Sequence, residues 1–203
     1  QLHGRRLYDF LQHHDAPRAT VEQLARVHPR EHIERVSAKS PAEGLAYLDP
    51  DTAMCPDTLE AALRAAGANV LAVDLVMGRA VRRAFCNVRP PGHHAERDRA
   101  MGFCFFNNVA VAARHALDVR GLQRVAVIDF DVHHGNGTED IVAGDERMLM
   151  ASFFQHPLYP YSGAVPKGTN MVNVPLPPYA RGAQAREAIE QMWLPRLEDF
   201  KPQ

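Results

Sequence analysis

The sequence predicts an α/β protein with a mostly parallel sheet flanked by helices, because strand-like and helix-like segments alternate along it. A predicted strand at Phe85–Val88 is followed by an Ala-rich helix at Asn108–Leu117 and a central strand at Arg124–Phe130. Such alternation implies right-handed crossovers between parallel strands, with helices on both faces. The 203 residues, 46% of them hydrophobic, are enough to form the core of one domain.

The other predicted elements come from apolar periodicity and from turn residues. The run Asn69–Met77 suits a buried strand and a helix equally. Short peripheral helices are predicted at Arg5–Gln12 and Thr20–Val27, and a longer helix runs from Pro56 toward Ala68. A short helix at Thr138–Val142 precedes two strands, at Met148–Phe154 and Met171–Val174. The last predicted helix is Gly182–Phe200. A breaker at Pro175–Pro178 precedes the last helix, whose predicted apolar stripe is Ala185, Ile189, Met192 and Trp193.

Composition excludes several classes of protein. A formal net charge of -1 gives no basic footprint for nucleic acid. Cys55, Cys86 and Cys104 are far apart, which argues against a disulfide framework and a thiolate metal site and favours a reducing, cytoplasmic setting. No apolar run reaches the roughly eighteen residues of a membrane span, so no membrane contact is expected. The sequence does not decide whether the protein forms a homo-oligomer.

Metal-binding side chains follow the central strand in the run Asp129-Phe-Asp131-Val-His133-His134-Gly-Asn136-Gly. In an extended strand, Asp129, Asp131 and His133 would share one face. Burying two carboxylates side by side is costly unless a cation or dense hydrogen bonding offsets their repulsion. A carboxylate with an imidazole suits zinc or a similar divalent ion, and a catalytic zinc needs one further protein ligand. The simpler alternative is a buried strand whose polar end caps the next helix.

Two further runs make the pattern specific: Arg89-Pro-Pro-Gly-His93-His94-Ala and Met101-Gly102-Phe103-Cys104-Phe-Phe-Asn-Asn. Together with the run after the central strand, they make residues 51–175 resemble the histone deacetylase family, nearest to its class II and bacterial deacetylase-like members. The resemblance implies a three-layer arginase/deacetylase-like fold. It also favours a helix for Asn69–Met77. An arginase-like enzyme with two manganese ions is a weaker alternative, because it needs more carboxylates than this segment offers.

The resemblance implies the metal chemistry. Asp131 and His133 match the first two zinc ligands of the family, and ferrous iron is a possible substitute for zinc. The family's third ligand, an aspartate from a later strand, and its C-terminal catalytic tyrosine have no counterpart before Gln203. We therefore expect residues 1–203 to be a single catalytic domain that is incomplete at both ends, and the isolated chain to be inactive.

The resemblance also assigns the catalytic histidines. Amide hydrolysis needs a base for the attacking water and an acid for the departing amine, and an imidazole can act as both. By resemblance, His93 contacts the ionised Asp129 and His94 contacts the neutral Asn136. We therefore expect His94 to be the general base that later acts as acid, and His93 to orient and stabilise charge.

Substrate and cation positions follow in the same way. Phe103 and Tyr159 match the aromatic walls of the acyl-lysine channel, although both could simply pack in the core, and the Gly102 carbonyl matches the acceptor for the substrate amide. Tyr161 stands where the family commonly has glycine. The resemblance also implies a potassium site. The residues of this site are Asp129, Asp131, His133, Ser152 and Phe153. The family usually has a histidine at the position of Phe154.

Three functions are therefore open. The first is zinc-dependent removal of acetyl groups from lysine side chains of proteins. The second keeps this chemistry for acetylpolyamines or another acetylated small amine. The third is a non-catalytic fragment that requires a second polypeptide.

Overall fold

The structure is a computed structural model that describes residues 4–6 and 8–203. After a 3₁₀ turn at Tyr8–Phe10, the helices are α1 (Val21–Leu24), α2 (Arg30–Ala38), α3 (Thr58–Met77), α4 (Asn108–Asp118), α5 (Asn136–Val142), α6 (Gly182–Ala188) and α7 (Leu194–Phe200), with a π-helical segment at Ile189–Trp193 joining the last two. The strands are β1 (Ala46–Asp49), β2 (Thr52–Met54), β3 (Val125–Asp129), β4 (Met148–Gln155) and β5 (Met171–Leu176).

The sheet and its helices form three layers. β3, β4 and β5 are parallel and adjacent in that order, and Asp129 at the end of β3 pairs with Ser152 of β4. Because side chains alternate along a strand, Met148 and Met150 pack toward α4 and α5, whereas Leu149 and Ala151 pack toward Trp193 in the last helical region. The predicted α/β class is confirmed.

The helix α3 settles the ambiguous run Asn69–Met77. The segment continues the helix that begins after Asp57, so the prediction from resemblance is confirmed. Its small residues Ala62 and Ala66 and the side chain of Val70 are buried against α4 and the N-terminal helices, with spacings of four residues. The run Asn69–Met77 is therefore the second half of one helix of 20 residues.

Several predicted elements have different bounds in the structure. The segment predicted as a strand at Phe85–Val88 is an irregular loop, because none of the described residues pairs with its backbone. The helix predicted at Thr20–Val27 is reduced to Val21–Leu24, and of the one predicted at Arg5–Gln12 only Tyr8–Phe10 is helical, with Leu7 outside the described residues. Helix α2 and the antiparallel pair β1–β2 had no counterpart in the prediction.

The C-terminal elements also differ from the prediction. Strand β5 continues through Pro175, which is tolerated because β5 pairs only with β4 among the described strands and so does not need the missing N–H on its other side. The π-helical segment shifts the apolar stripe of the last helix. Trp193 is buried and stacks on Phe153, but Met192 is 49% exposed and does not belong to the core. Within the described part of the chain, no helix is long and apolar enough to cross a membrane.

Candidate active site

The loop that follows β3 carries the predicted metal ligands. The strand ends at Asp129, so the prediction that Asp129, Asp131 and His133 share one strand face is wrong. Instead, each carboxylate accepts the backbone N–H two residues later: Asp129 Oδ1 from Asp131 at 3.1 Å, and Asp131 Oδ1 from His133 at 2.8 Å. Aspartate often forms such local turns, which compete with an extended strand.

The turn nevertheless brings the two predicted ligands together. Nδ1 of His133 lies 3.1 Å from Oδ1 of Asp131, and both side chains are accessible. Their donor chemistry fits a divalent transition metal. No group of three His, Cys, Asp or Glu side chains that could hold a metal exists among the described residues. Asp131 and His133 thus offer two donors, one fewer than the three protein ligands of a catalytic zinc site.

His93 and His94 lie side by side, with ring centroids 4.0 Å apart, but hydrogen-bond to different partners. Nδ1 of His93 is 2.9 Å from Oδ2 of Asp129, and Nδ1 of His94 is 2.8 Å from Oδ1 of Asn136. Both contacts are those that the family resemblance implies. The glycine at position 135 is required for the first, because a Cβ there would lie 2.3 Å from the Asp129 carboxylate.

The two imidazoles therefore have opposite pKa shifts. Burial lowers the pKa of His94 to about 4, and the positive charge of protonated His93 acts in the same direction. Burial also disfavours the charged form of His93, but the hydrogen bond and charge of Asp129 outweigh it and raise the pKa of His93. Asp129 shows the converse: burial opposes ionisation, but contact with His93 leaves its pKa lowered.

Glu96 orients the partner of His94, a role that the sequence reasoning missed. Its Oε1 accepts a hydrogen bond of 2.8 Å from the side-chain amide of Asn136. This contact fixes the amide so that its oxygen faces His94. The only signal in the sequence is that Glu96 closely follows the tandem histidines, which does not identify its partner.

The predicted channel residues Gly102 and Phe103 form the centre of a tight turn between Met101 and Cys104. Both have positive φ, +58° and +65°, and the backbones of Met101 and Cys104 hydrogen-bond to each other on either side. A Cβ on Gly102 would lie 2.5 Å from the His94 ring. The Phe103 ring is 63% exposed, so it does not pack in the core. Cys104 is fully buried, and burial raises the pKa of its thiol.

The β1–β2 hairpin holds the Gly102 turn in place, a role that the sequence did not reveal. Asp51 Oδ1 accepts a hydrogen bond of 3.1 Å from the Gly102 backbone, and Thr52 Oγ1 accepts one of 3.0 Å from the Phe103 backbone. Thr52 is fully buried. The cluster Asp49-Pro-Asp51-Thr52 is typical of a turn, but nothing in its spacing shows that it reaches the Gly102 turn.

Tyr159 lies close to Asp51, which supports this turn. Its ring makes edge contacts with His94 at 5.1 Å and His133 at 6.1 Å between centroids. Burial raises the pKa of Tyr159, and the charge of Asp51 adds to this effect. Tyr161, the residue that replaces a family glycine, has φ +62° and is 75% exposed, so its side chain adds aromatic surface beside the site.

The predicted potassium residues converge around the end of β3. Ser152 is fully buried, and its hydroxyl has no hydrogen-bond partner among the described residues. Ser152 pairs in register with Asp129. Phe153 is half-buried and its ring stacks on Trp193, so the predicted ligand is its backbone carbonyl and not its side chain. Phe154, which replaces the usual histidine, packs its ring against His134.

Comparisons with known proteins agree on one family. The profile of the histone deacetylase domain matches residues 1–203. A histone deacetylase-like amidohydrolase from Pseudomonas aeruginosa is 42% identical over 200 residues, 95% of this chain and 52% of that protein. The polyamine deacetylase HDAC10 of Rattus norvegicus is 38% identical over 202 residues, 91% of this chain and 34% of that protein.

Structural comparison gives the same result. The crystal structure of the HDA15 HD domain matches with a TM-score of 0.91 and 32% sequence identity, and the match covers 99% of this chain and 60% of that one. A chloroplastic relative, histone deacetylase 14 of Arabidopsis thaliana, is 37% identical over 201 residues, 91% of this chain and 45% of that protein. The chain thus spans about half the length of the curated relatives it matches.

Proposed function

The chain belongs to the histone deacetylase family, and from this premise we propose that it hydrolyses the N-acetyl group of acetyl-lysine side chains in proteins. The observation that carries the proposal is the pair His93 and His94. Two adjacent imidazoles with an ionised and a neutral partner, next to the ligand pair Asp131 and His133, provide the separate charge states that amide hydrolysis needs.

His94 serves as the general base. The amide oxygen of Asn136 only accepts hydrogen bonds, so Nδ1 of His94 carries the proton and donates it, and Nε2 is left with a free lone pair. The lowered pKa keeps the ring neutral near pH 7. Nε2 therefore takes a proton from the attacking water and returns it to the departing lysine amine.

His93 acts through charge. Its Nδ1 faces the carboxylate of Asp129, which stabilises an imidazolium, and the raised pKa favours this form. A positive charge beside the reacting carbonyl stabilises the oxyanion that forms when water adds. His93 is thus the electrostatic member of the pair and His94 is the proton-transfer member.

A divalent metal completes this proposal. Asp131, His133 and a third ligand from outside the described residues would hold Zn²⁺ or Fe²⁺, which supplies Lewis-acid activation of the acetyl carbonyl and of water. A potassium ion is proposed at the end of β3, because the unpaired, buried hydroxyl of Ser152 and the neighbouring carboxylate of Asp129 have the oxygen chemistry of a cation site.

The substrate class follows from the aromatic walls. Phe103 and Tyr159 offer flat apolar surfaces beside the histidines, which suit a flexible alkyl chain ending in an acetamide. The turn at Gly102 brings the backbone against the His94 ring, and the Gly102 carbonyl, which accepts from the Cys104 thiol at 3.3 Å, is the proposed acceptor for the substrate amide N–H. An acetylated lysine side chain has both features.

A second candidate, deacetylation of acetylpolyamines, is favoured by one observation. Burial is the largest cause of the raised pKa of Tyr159, and the nearby charges of Asp51 and Asp49 add to it. Asp49 is paired with Arg99 at 2.7 Å, so the carboxylate of Asp51 is the one that would attract a polycation. A third candidate is that these residues act only with a second polypeptide that supplies the remaining ligand, since the chain spans about half the length of the relative from Pseudomonas aeruginosa.

Acetate release from an acetyl-lysine peptide and from an acetylpolyamine distinguishes the first two candidates. We expect the full-length protein to deacetylate the peptide with the higher kcat/KM, to lose activity in a strong chelator and to regain it with Zn²⁺. Asp131→Asn should abolish activity, and Asp140→Asn, a surface substitution, should leave it unchanged. Activity that is indifferent to chelation would contradict metal-dependent hydrolysis, and a higher kcat/KM for the polyamine would select the second candidate.

A further inference from the structure

A buried carboxylate lies behind the site and has no part in the chemistry above. Glu139 of α5 is 1% exposed. Its Oε1 accepts hydrogen bonds from the Asn173 side chain at 2.7 Å and from the Lys167 backbone at 3.2 Å, and its Oε2 lies 3.5 Å from Nε2 of His134. A carboxylate is rarely this deeply buried unless several groups compensate it, so the arrangement is a strong structural constraint.

His134 connects Glu139 to the loop after β4. Its Nε2 lies 3.5 Å from Oε2 of Glu139, in a geometry that makes no hydrogen bond, and has no other hydrogen-bond partner among the described residues. Its Nδ1 is hydrogen-bonded to the hydroxyl of Ser162 at 2.9 Å. The His134 ring also lies against the backbone of Gly163, where a Cβ would come within 2.5 Å of it.

The loop is thus fixed at both ends of a short stretch. Ser162 and Gly163 are held by His134, the Gly163 carbonyl accepts from Asn173 at 3.0 Å, and the Lys167 backbone donates to Glu139. All these contacts are buried or partly buried. They join the loop to the residue directly after His133 and to the helix that follows it.

Tyr159 lies among several anchors, of which Ser162 is one. It lies shortly before Ser162 in the chain, and its ring contacts His94 and His133. On the other side of Tyr159, the backbone N–H of His156 donates to the Leu176 carbonyl at 2.8 Å, and the Tyr159 hydroxyl lies close to Asp51. Loosening Ser162 would therefore release the segment on the C-terminal side of Tyr159 and allow the Tyr159 ring a wider range of motion against the histidines.

We propose that Glu139 is a positioning residue for substrate binding: through His134 and Ser162 it holds the loop that keeps the Tyr159 ring against His94 and His133. This inference rests on the proposed function, because it takes Tyr159 as a wall of the substrate channel. Glu139 touches no reacting atom in this scheme. Its effect is on the width and order of the channel.

Asp140, the next residue on α5, provides a matched control. Its carboxylate is partly exposed, contacts the Lys167 side chain at 3.2 Å and accepts a hydrogen bond of 3.1 Å from the Arg97 backbone, which an asparagine oxygen can also accept. Surface ion pairs of this kind contribute little to stability. Asp140→Asn removes a charge from the same helix without touching His134 or Ser162.

The test compares Glu139→Gln, Ser162→Ala, Ser162→Thr and Asp140→Asn in the full-length protein. Glutamine keeps the shape of Glu139 but removes its charge and places an amide nitrogen, which cannot accept a hydrogen bond, either next to His134 or next to the donors Asn173 and Lys167. Ser162→Ala removes one hydroxyl and tests the same connection if Glu139→Gln does not fold. Ser162→Thr retains the hydroxyl and should behave as the unsubstituted protein.

Two readouts are independent of activity. Amide hydrogen exchange over residues 162–168 should become about tenfold faster in Glu139→Gln and Ser162→Ala, the effect expected when one buried hydrogen bond is removed. The nuclear Overhauser effect between the rings of Tyr159 and His94 should weaken in the same variants. Asp140→Asn and Ser162→Thr should change neither. Unchanged exchange together with an unchanged Overhauser effect in both Glu139→Gln and Ser162→Ala would overturn the proposal.

The kinetic readout separates positioning from general damage. For an acetyl-lysine peptide, we expect KM to rise about tenfold and kcat to change by less than about threefold, since the removed interaction acts on binding. A fall in kcat at constant KM, in a variant whose Tyr159 ring has moved away from His94, would also overturn the proposal. If neither the unsubstituted protein nor any variant releases acetate, the proposed function fails. The exchange and Overhauser measurements then still decide whether Glu139 positions Tyr159.

Discussion

Asn136 fixes the tautomer of His94, because its amide oxygen lies 2.8 Å from Nδ1 of that ring and can only accept a hydrogen bond. His93, whose ring is 4.0 Å away, faces a carboxylate instead. Two residues that are adjacent and chemically identical in the sequence are thus given different charge states by partners that are 36 and 42 residues away.

The first prediction is an unequal effect of the two histidines. His94→Ala removes the group that moves the proton and should lower kcat/KM by about a thousandfold. His93→Ala removes a stabilising charge and should lower it by about thirtyfold. The measurement is the steady-state rate of acetate release near neutral pH by the full-length protein. A larger decrease in His93→Ala would reverse the two assigned roles.

The second prediction concerns Gly102, whose substitution should act through His94. In Gly102→Ala the new Cβ would lie 2.5 Å from the His94 ring, so the ring must move, and kcat/KM should fall about a hundredfold. Gly121→Ala is the control: that glycine also has positive φ, +76°, but nothing lies within 4 Å of its Cβ. It shares the backbone strain without the clash. Equal decreases of activity in the two variants would show that strain, not displacement of His94, is the cause.

The sequence predicts the sheet and the histidine loops well, because both depend on local patterns. β3 and β4 are continuous apolar runs between turn residues, and parallel strands with crossover helices allow few topologies. The motif residues His93, His94, Asp131 and His133 all lie shortly after predicted strand ends. The contacts His93–Asp129 and His94–Asn136 are present as the resemblance implies.

What the sequence could not predict depends on long-range contacts. In the sequence, Glu96 cannot be told apart from a surface glutamate, and only the fold shows that it contacts Asn136. In the same way, Thr52 has the sequence of a turn residue, and only the fold shows that it accepts from the Phe103 backbone. The strand predicted at Phe85–Val88 has the right apolar composition, but a strand also needs a neighbour, and none of the described residues provides one. Periodicity alone also cannot reveal the π-helical segment that turns Met192 outward.

The third prediction tests the support of the channel turn by Thr52. Thr52→Val keeps the volume but removes the acceptor for the Phe103 backbone N–H, which should lower the free energy of unfolding by about 1–2 kcal/mol and raise KM for the acetyl-lysine peptide. Thr52→Ser keeps the hydroxyl and should retain KM. Urea unfolding and steady-state kinetics measure the two effects. An unchanged KM in Thr52→Val would mean that the turn holds its shape without this hydrogen bond.

The fourth prediction concerns His28, which is buried beyond the end of α1 and bound as a neutral ring. The Asn107 backbone N–H donates to its Nε2 at 2.9 Å, so Nδ1 carries the proton and donates to the Arg97 carbonyl at 2.9 Å. Stacked on it at 4.9 Å is His32, which itself faces Arg35 and Asp98. Protonation of Nε2 would break the contact with Asn107, the residue that caps α4.

The pH dependence follows from the sign of the shift. Burial, the largest cause, lowers the pKa of His28 to about 4 from an unfolded value of 6.5. Below pH 6.5 the unfolded chain therefore takes up a proton that the folded chain does not, so this contribution to stability is complete above pH 6.5 and is lost as the pH falls toward 4. Between about pH 7 and about pH 5 the decrease from this one group is about 2 kcal/mol.

His28→Gln isolates this contribution from the other buried histidines, whose pKa values are also lowered. A glutamine carbonyl can accept from Asn107 but does not titrate in this range. The free energy of unfolding in urea, measured at about pH 7 and about pH 5, should therefore fall by about 2 kcal/mol less in the variant than in the unsubstituted protein. If the free energy of unfolding decreases equally in both proteins, His28 is not kept neutral by the fold.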